Sequence, residues 1–126
     1  MRLLLDTHVV LWLLDDPQLV SPAMLHILRR RPVLVVSVAS LWEIAIKRAK
    51  GKLRAPDDLP DRLIRAGFEL LPVTAAHAWA VRAPTFGPVH KDPFDRLLYA
   101  QALIERLTFA TRDAELLASG LDVTEA

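Results

Sequence analysis

The sequence predicts a three-layer α/β/α domain built on a central, mostly parallel sheet of four to five strands. Three observations carry that expectation. Short apolar runs alternate with helical stretches along the whole chain, the connections are short, and the clearest run, Val33-Leu34-Val35-Val36, is β-branched and apolar on both faces, as a strand covered from both sides must be. The chain has 126 residues, the size of one domain, and residues 1–126 are expected to form a single unit with more than half of its unfolded surface buried.

Taken in order, Leu3-Leu4-Leu5 reads as a buried strand that ends at Asp6-Thr7 and hands over to a helix with a capping residue. The stretch Val9 to Leu14 is apolar all round, which fits either deep burial or a contact with a partner. Asp15-Asp16-Pro17 ends it, and Ser21-Pro22 opens a second helix that runs to Arg29-Arg30-Arg31. After the Val33 strand, Ser37 caps a third helix that Gly51 closes. On it Leu41, Ile44 and Ala45 share one face while Glu43, Lys47 and Lys50 share another. Pro56 to Pro60 is a connector, Asp61 to Ala66 a helix closed by Gly67, and Phe68 to Leu71 a short strand. Thr74 leads into a helix with His77 and Trp79 that breaks at Pro84, and Pro84 to Pro88 is a rigid loop. The helix after Asp92 carries Leu97, Leu98, Ala100, Ala102, Leu103 and Ile104 over more than half its circumference and is expected to be central and largely buried. Leu107 to Ala110 is a strand, Asp113 opens a short helix to Gly120, and Leu121 to Val123 is an edge strand.

Sixteen basic and fifteen acidic side chains leave a net charge of +1, so overall charge does not announce a nucleic-acid binder. Its distribution is more suggestive: Lys47, Arg48, Lys50, Lys52 and Arg54 form a cluster that fits a phosphate track as well as it fits a helix C-terminus. The absence of cysteine excludes disulfides and thiolate metal sites and agrees with a reducing compartment. Asp6 interrupts the apolar N-terminal run and no small-residue cleavage site follows it, so the expected location is cytoplasmic, away from the membrane.

The acids are the informative feature. Asp92, Pro93 and Asp95 place two carboxylates in the first turn of an apolar helix. Capping explains each of them, at about 0.3–1 kcal/mol from the helix dipole, and Glu43 has two similar explanations in a Ser40–Glu43 capping box and a Glu43–Lys47 pair. In a parallel sheet, however, strand C-termini and the following helix N-termini share one edge, where ligands bind. Asp6, Asp95 and Asp113 occupy such positions, and Glu43 is long enough to reach back to them. Clustered carboxylates repel one another, a conflict that a divalent cation resolves; an all-oxygen set suits Mg²⁺ or Mn²⁺. Such a site can activate water against a phosphodiester.

Leu-Leu-Asp-Thr at Leu4 to Thr7, Ser-x-x-Ser-x-Trp-Glu-Ile at Ser37 to Ile44, Asp-Pro-Phe-Asp-Arg-Leu-Leu at Asp92 to Leu98 and Thr-x-Asp at Thr111 to Asp113 together resemble a PIN-domain ribonuclease, more narrowly the VapC-type toxins of type II toxin–antitoxin systems. The resemblance implies a PIN-like fold and a Mg²⁺- or Mn²⁺-dependent endoribonuclease, homodimeric and silenced by a cognate antitoxin. By the same resemblance, Asp6, Glu43, Asp95 and Asp113 are the catalytic and metal-holding acids, and Asp92 is a cap before it is a ligand. Thr7 and Thr111 are expected as helix caps before they are residues that steady neighbouring carboxylates or substrate phosphate, and Trp42 as a buried or interface residue before it is a base-stacking one. His8 and His90 flank the site and read as structural or solvent-facing, while His26 and His77 carry no signal. Two other readings stay open: a catalytically silent PIN-like interaction module, and a Mg²⁺-dependent phosphatase or phosphoacceptor. The phosphatase expects a second acid where His8 stands, and the phosphoacceptor expects paired acids near the first strand and a lysine after a late one.

Overall fold

A computed structural model describes residues 1–83, 92–112 and 123–126. Five strands, β1 (Arg2–Leu5), β2 (Val33–Ser37), β3 (Glu69–Leu71), β4 (Thr108–Thr111) and β5 (Val123–Glu125), form one sheet in the order β3-β2-β1-β4-β5. Every pairing is parallel. Helices α1 (Thr7–Asp15), α2 (Pro22–Leu28), α3 (Val38–Ala49), α4 (Leu59–Arg65), α5 (Ala75–Ala80) and α6 (Pro93–Glu105) cover it.

Alternation along the strands divides the core in two. Leu3 and Leu5 of β1, Val36 of β2 and Ala110 of β4 face one layer with Val9, Val10, Met24, Ile44 and Leu63. Leu4, Val35 and Phe109 face the other, against Leu98, Tyr99, Ala100 and Ala102 of α6. These are the three layers expected of a sheet apolar on both sides.

Several local expectations are revised. Helix α4 begins at Leu59, two residues earlier than expected, because Pro60 sits in the first turn, where no amide donor is needed. Helix α3 is capped by Ser37, whose hydroxyl accepts from the Ala39 amide, so the Ser40–Glu43 capping box does not form. Ala45 on that helix is exposed rather than on the core face. In α6 the buried residues are Leu98 to Ala102, while Leu103 and Ile104 are exposed and the polar Gln101 lies inside. Five consecutive buried residues go all the way round a helix, so the middle of α6 is buried on every side, as expected, between the sheet, α5 and α3, and only its last apolar residues emerge. Of α1, Val9 and Val10 are buried, and Leu11 to Leu14 pack against the core while keeping some exposure. The expected loop from Pro84 to Pro88, His90, and the helix after Asp113 lie outside the described residues.

Candidate metal and nucleic-acid site

The sheet order reverses at β1: β2 and β3 lie on one side of it, β4 and β5 on the other. The crevice outside the strand C-termini at such a reversal is where open α/β sheets bind ligands. Asp6 follows β1 there, and Thr111 ends β4 beside it. The Asp6 amide donates to the Ala110 carbonyl, and the Thr111 hydroxyl donates to Asp6 Oδ2 at 2.8 Å.

Asp6 holds the N-cap position of α1, yet its carboxylate makes no cap hydrogen bond. A cap aspartate stabilises by about 1 kcal/mol when its oxygen accepts from the helix amides; this one accepts from Thr111 instead. Its pKa is raised, above all because the group is buried, and the negative charge of Glu43 adds to the rise. The Thr111 hydrogen bond, His8 and the Thr7 amide pull the other way. Thr7 is the first residue of α1 and not its cap, and the helix that Thr111 was expected to cap lies outside the described residues. Thr111 holds Asp6, and the buried Thr7 donates to Ser40 Oγ at 2.9 Å, tying α1 to α3.

Glu43 lies in the second turn of α3 and is buried. Lys47 Nζ donates to its Oε2 at 2.7 Å, whereas Oε1 is buried and has no hydrogen-bond partner among the described residues. The Lys47 pKa is raised, first by its hydrogen bond to Glu43 and further by the charges of Glu43, Asp92 and Asp95 against the cost of burial. Asp92 is the N-cap of α6, its Oδ1 accepting from the Phe94 amide at 2.8 Å and the Asp95 amide at 3.2 Å. Asp95 stands partly buried in the turn that follows.

Asp6, Glu43, Asp92 and Asp95 line one cleft of about 330 Å³ with His8, Val9, Trp12, Lys47 and Arg112. Three of the four expected acids therefore meet, and Asp113 lies outside the described residues. The acids do not close on one point: among the described residues no three carboxylate or imidazole groups are arranged to hold a metal ion. Like charges separate unless a cation draws them together. The donor set nonetheless suits a hard divalent ion, since it is all oxygen, it includes a carboxylate that burial disfavours as an anion, and it contains a buried oxygen without a partner.

Arg112 is a cleft residue that sequence reasoning missed. Its guanidinium stacks 4.3 Å from the Trp12 ring centroid, donates to the Leu19 carbonyl, and donates to the Ala126 carbonyl at 2.9 Å. Its place between Thr111 and Asp113, directly after a strand, was the available signal. Trp42 is 60% exposed rather than buried and meets Phe94 edge-on at 5.1 Å. His8 is exposed at the cleft. The buried His77 has a structural role: its Nδ1 accepts from the Thr74 amide in a reciprocal capping box.

The PIN domain family model matches residues 3–119, and the chain belongs to that family. PIN domains are nucleases that generally use divalent metal ions, which makes the chain's class a hydrolase acting on nucleic acid. Solved structures share the fold. A chain of VapBC2 from Rickettsia felis, bound to a DNA fragment from its promoter, superposes with a TM-score of 0.69 at 14% identity, over 99% of this chain and 98% of that one. A toxin–antitoxin complex from Klebsiella pneumoniae gives 0.65 at 19% identity, over 96% and 94%. FitAcB from Neisseria gonorrhoeae gives 0.62 at 21% identity, over 98% and 96%. No curated protein is significantly similar to the chain in sequence.

Proposed function

We propose that this chain is the toxin of a type II toxin–antitoxin pair and acts as a Mg²⁺- or Mn²⁺-dependent endoribonuclease. The observation that carries the reading is Asp6, a helix-cap aspartate whose carboxylate Thr111 holds, in a cleft it shares with Glu43 and Asp95. Capping accounts for an acid at that position but not for its orientation. Asp6, Glu43 and Asp95, joined by Asp113, would hold the cation. When bound, such an ion activates water as a nucleophile and offsets the charge that builds on the phosphate.

The rest falls to the chain's own side chains. Thr111 fixes the rotamer of Asp6 through its hydroxyl. Arg112, held by two backbone carbonyls and the Trp12 ring, presents a fixed positive charge to an incoming phosphate from the cleft wall. Exposed Arg48, Lys50, Lys52 and Arg54 extend that charge along the end of α3 and the turn after it, although Arg48 is partly engaged by Asp57. A cognate antitoxin as partner is supported by the toxin–antitoxin complexes that share the fold. A homodimer and a cytoplasmic location follow from the same toxin reading, and among the described residues no helix is long and apolar enough to cross a membrane.

The test is cleavage of a mixed set of structured and single-stranded RNAs by antitoxin-free protein, with Mg²⁺ or Mn²⁺ and with chelator, against folded Asp6→Asn and Asp95→Asn. Internal cleavage that requires the metal and disappears in both variants is the expected result. Variants that cut as well as the parent would remove these residues from the chemistry. A protein that binds no metal and cuts nothing would favour the silent interaction module.

A further inference from the structure

Glu43 is satisfied on one side only. Its side chain is 7% exposed, Oε2 receives the Lys47 ammonium at 2.7 Å, and Oε1 is buried without a hydrogen-bond partner among the described residues. An ordinary i,i+4 pair on a helix surface keeps both ends in water and contributes little. Here the acid end is inside and aimed into a cleft that Asp6, Asp92 and Asp95 also line, while the lysine end stays about a third exposed. The ammonium thus sits where the charge of several carboxylates is felt at once, in agreement with the upward displacement of its pKa by Glu43, Asp92 and Asp95.

Lys47 is bonded to the same carboxylate that the endonuclease reading gives to a divalent ion. Two cations compete for one carboxylate oxygen, and a positive charge beside the metal position lowers the affinity of the site. We propose that Lys47 is a resident counter-cation of the cleft. It holds the Glu43 carboxylate in place while the cleft has no metal, and it must release Oε2 when a divalent cation takes that group. The orphan Oε1, buried and unsatisfied among the described residues, is the acceptor that gains a partner when the released carboxylate turns to the ion. The exposed lysine stem lets the ammonium swing into water once displaced, so the exchange needs no movement of α3. The inference deepens the reading of Glu43 as a metal-facing acid and depends on it.

The experiment is Mn²⁺ binding to the chelator-stripped full chain, followed by titration calorimetry, for the parent, Lys47→Met and Lys47→Arg. Lys47→Met is expected to bind at least about fivefold more tightly, the factor for two unit charges about 4 Å apart at the dielectric of water and so a lower bound for a divalent ion. Lys47→Arg is expected to stay near the parent. Equal or weaker binding by Lys47→Met, in a parent that does bind, overturns the counter-cation and leaves the endonuclease reading standing. No Mn²⁺ binding by parent or variant overturns both, whereas binding by the variant alone supports the inference. A second readout needs no variant to fold: in the parent, Mg²⁺ should shift the side-chain ammonium resonance of Lys47 and leave the other lysines unmoved. Saturating Mg²⁺ with an unmoved Lys47 resonance refutes the exchange.

Discussion

Asp92 is the acid for which capping and metal holding make opposite predictions. Its Oδ1 accepts two amide protons at the start of α6, from Phe94 and Asp95, and the side chain is exposed at the edge of the cleft. Losing an aspartate cap costs about 0.5–2 kcal/mol, centred near 1. For a chain of 126 residues, about 1 kcal/mol lowers the melting temperature by about 4 °C. Asp92→Ala should show that loss. Asp92→Ser keeps an oxygen acceptor for the two amides and gives up only the charge, so it should recover most of it and fall short by the dipole contribution of about 0.3–1 kcal/mol. Thermal unfolding of the three proteins in parallel with metal-dependent RNA cleavage decides the matter. If Asp92 is a cap, both variants cut at the parent rate once folded, and the melting temperatures rank parent, Ser, Ala. A serine variant that melts like the parent but no longer cuts would refute the reasoning and make Asp92 a ligand. An alanine variant that melts with the parent would remove the cap.

Asp6→Asn is expected to stabilise the metal-free protein at neutral pH while abolishing cleavage. Burial raises the folded pKa above the ordinary 3.8, so this group's contribution is fully present below that pH and is lost as pH rises through the folded value. Urea unfolding of both proteins at pH 4 and pH 7 should show the variant's advantage growing with pH; a constant or reversed gap contradicts the sign. Lys47→Met leaves Glu43 buried and unpaired, which for a fully buried pair costs about 3–5 kcal/mol and, with the lysine about a third exposed, is screened to about 1–2 kcal/mol. Glu43→Gln keeps the shape and removes the buried charge, and its unfolding free energy from denaturant titration should stay within about 1 kcal/mol of the parent, so equal losses in the two variants would contradict the asymmetry. Thr111→Val removes the hydrogen bond that does most to lower the Asp6 pKa; Mn²⁺ binding followed against pH should move to higher pH, and an unmoved profile would show that the hydroxyl does not tune Asp6.

The strands were legible because their residues are β-branched or apolar on both faces, and β1 to β4 lie within a residue or two of where their patterns place them. The start of α6 was equally legible, since Asp92 and Pro93 specify a cap and a first turn through local chemistry alone. The point along α6 at which burial ends was not. Apolar count favoured Leu103 and Ile104, but the fully buried turn is Leu98 to Ala102, where Gln101 is accommodated because its Nε2 donates to the Pro72 carbonyl at 3.2 Å. That partner is 29 residues away, beyond any local pattern. At α3 two serines offered caps three residues apart, and the end of β2 at Ser37 chose the first. The acids could be read singly from helix starts and strand ends. Lys47 hid behind a sufficient helix-pair explanation. Arg112 hid because its anchors, Trp12, Leu19 and Ala126, come from both ends of the chain.

Three acids of the cleft are each held by a different device, and this bears on what the site can do. Asp6 has a hydroxyl at the end of the neighbouring strand, Glu43 a lysine one turn along its own helix, and Asp92 the first amides of α6. Each hydrogen bond serves one acid, while the Lys47 charge is felt by Glu43, Asp92 and Asp95 together, so the negative charges coexist without a metal. A cleft compensated acid by acid folds before its cation arrives and remains open enough for the carboxylates to close around one. Its weak point is Glu43, where one partly exposed ammonium bonds one oxygen and no described residue bonds the other. A divalent cation held by Glu43, Asp6 and Asp95 would compensate that oxygen and offset the repulsion among the three carboxylates. On this reasoning the scattered acids and the PIN family's use of divalent metal describe one site before and after the ion binds.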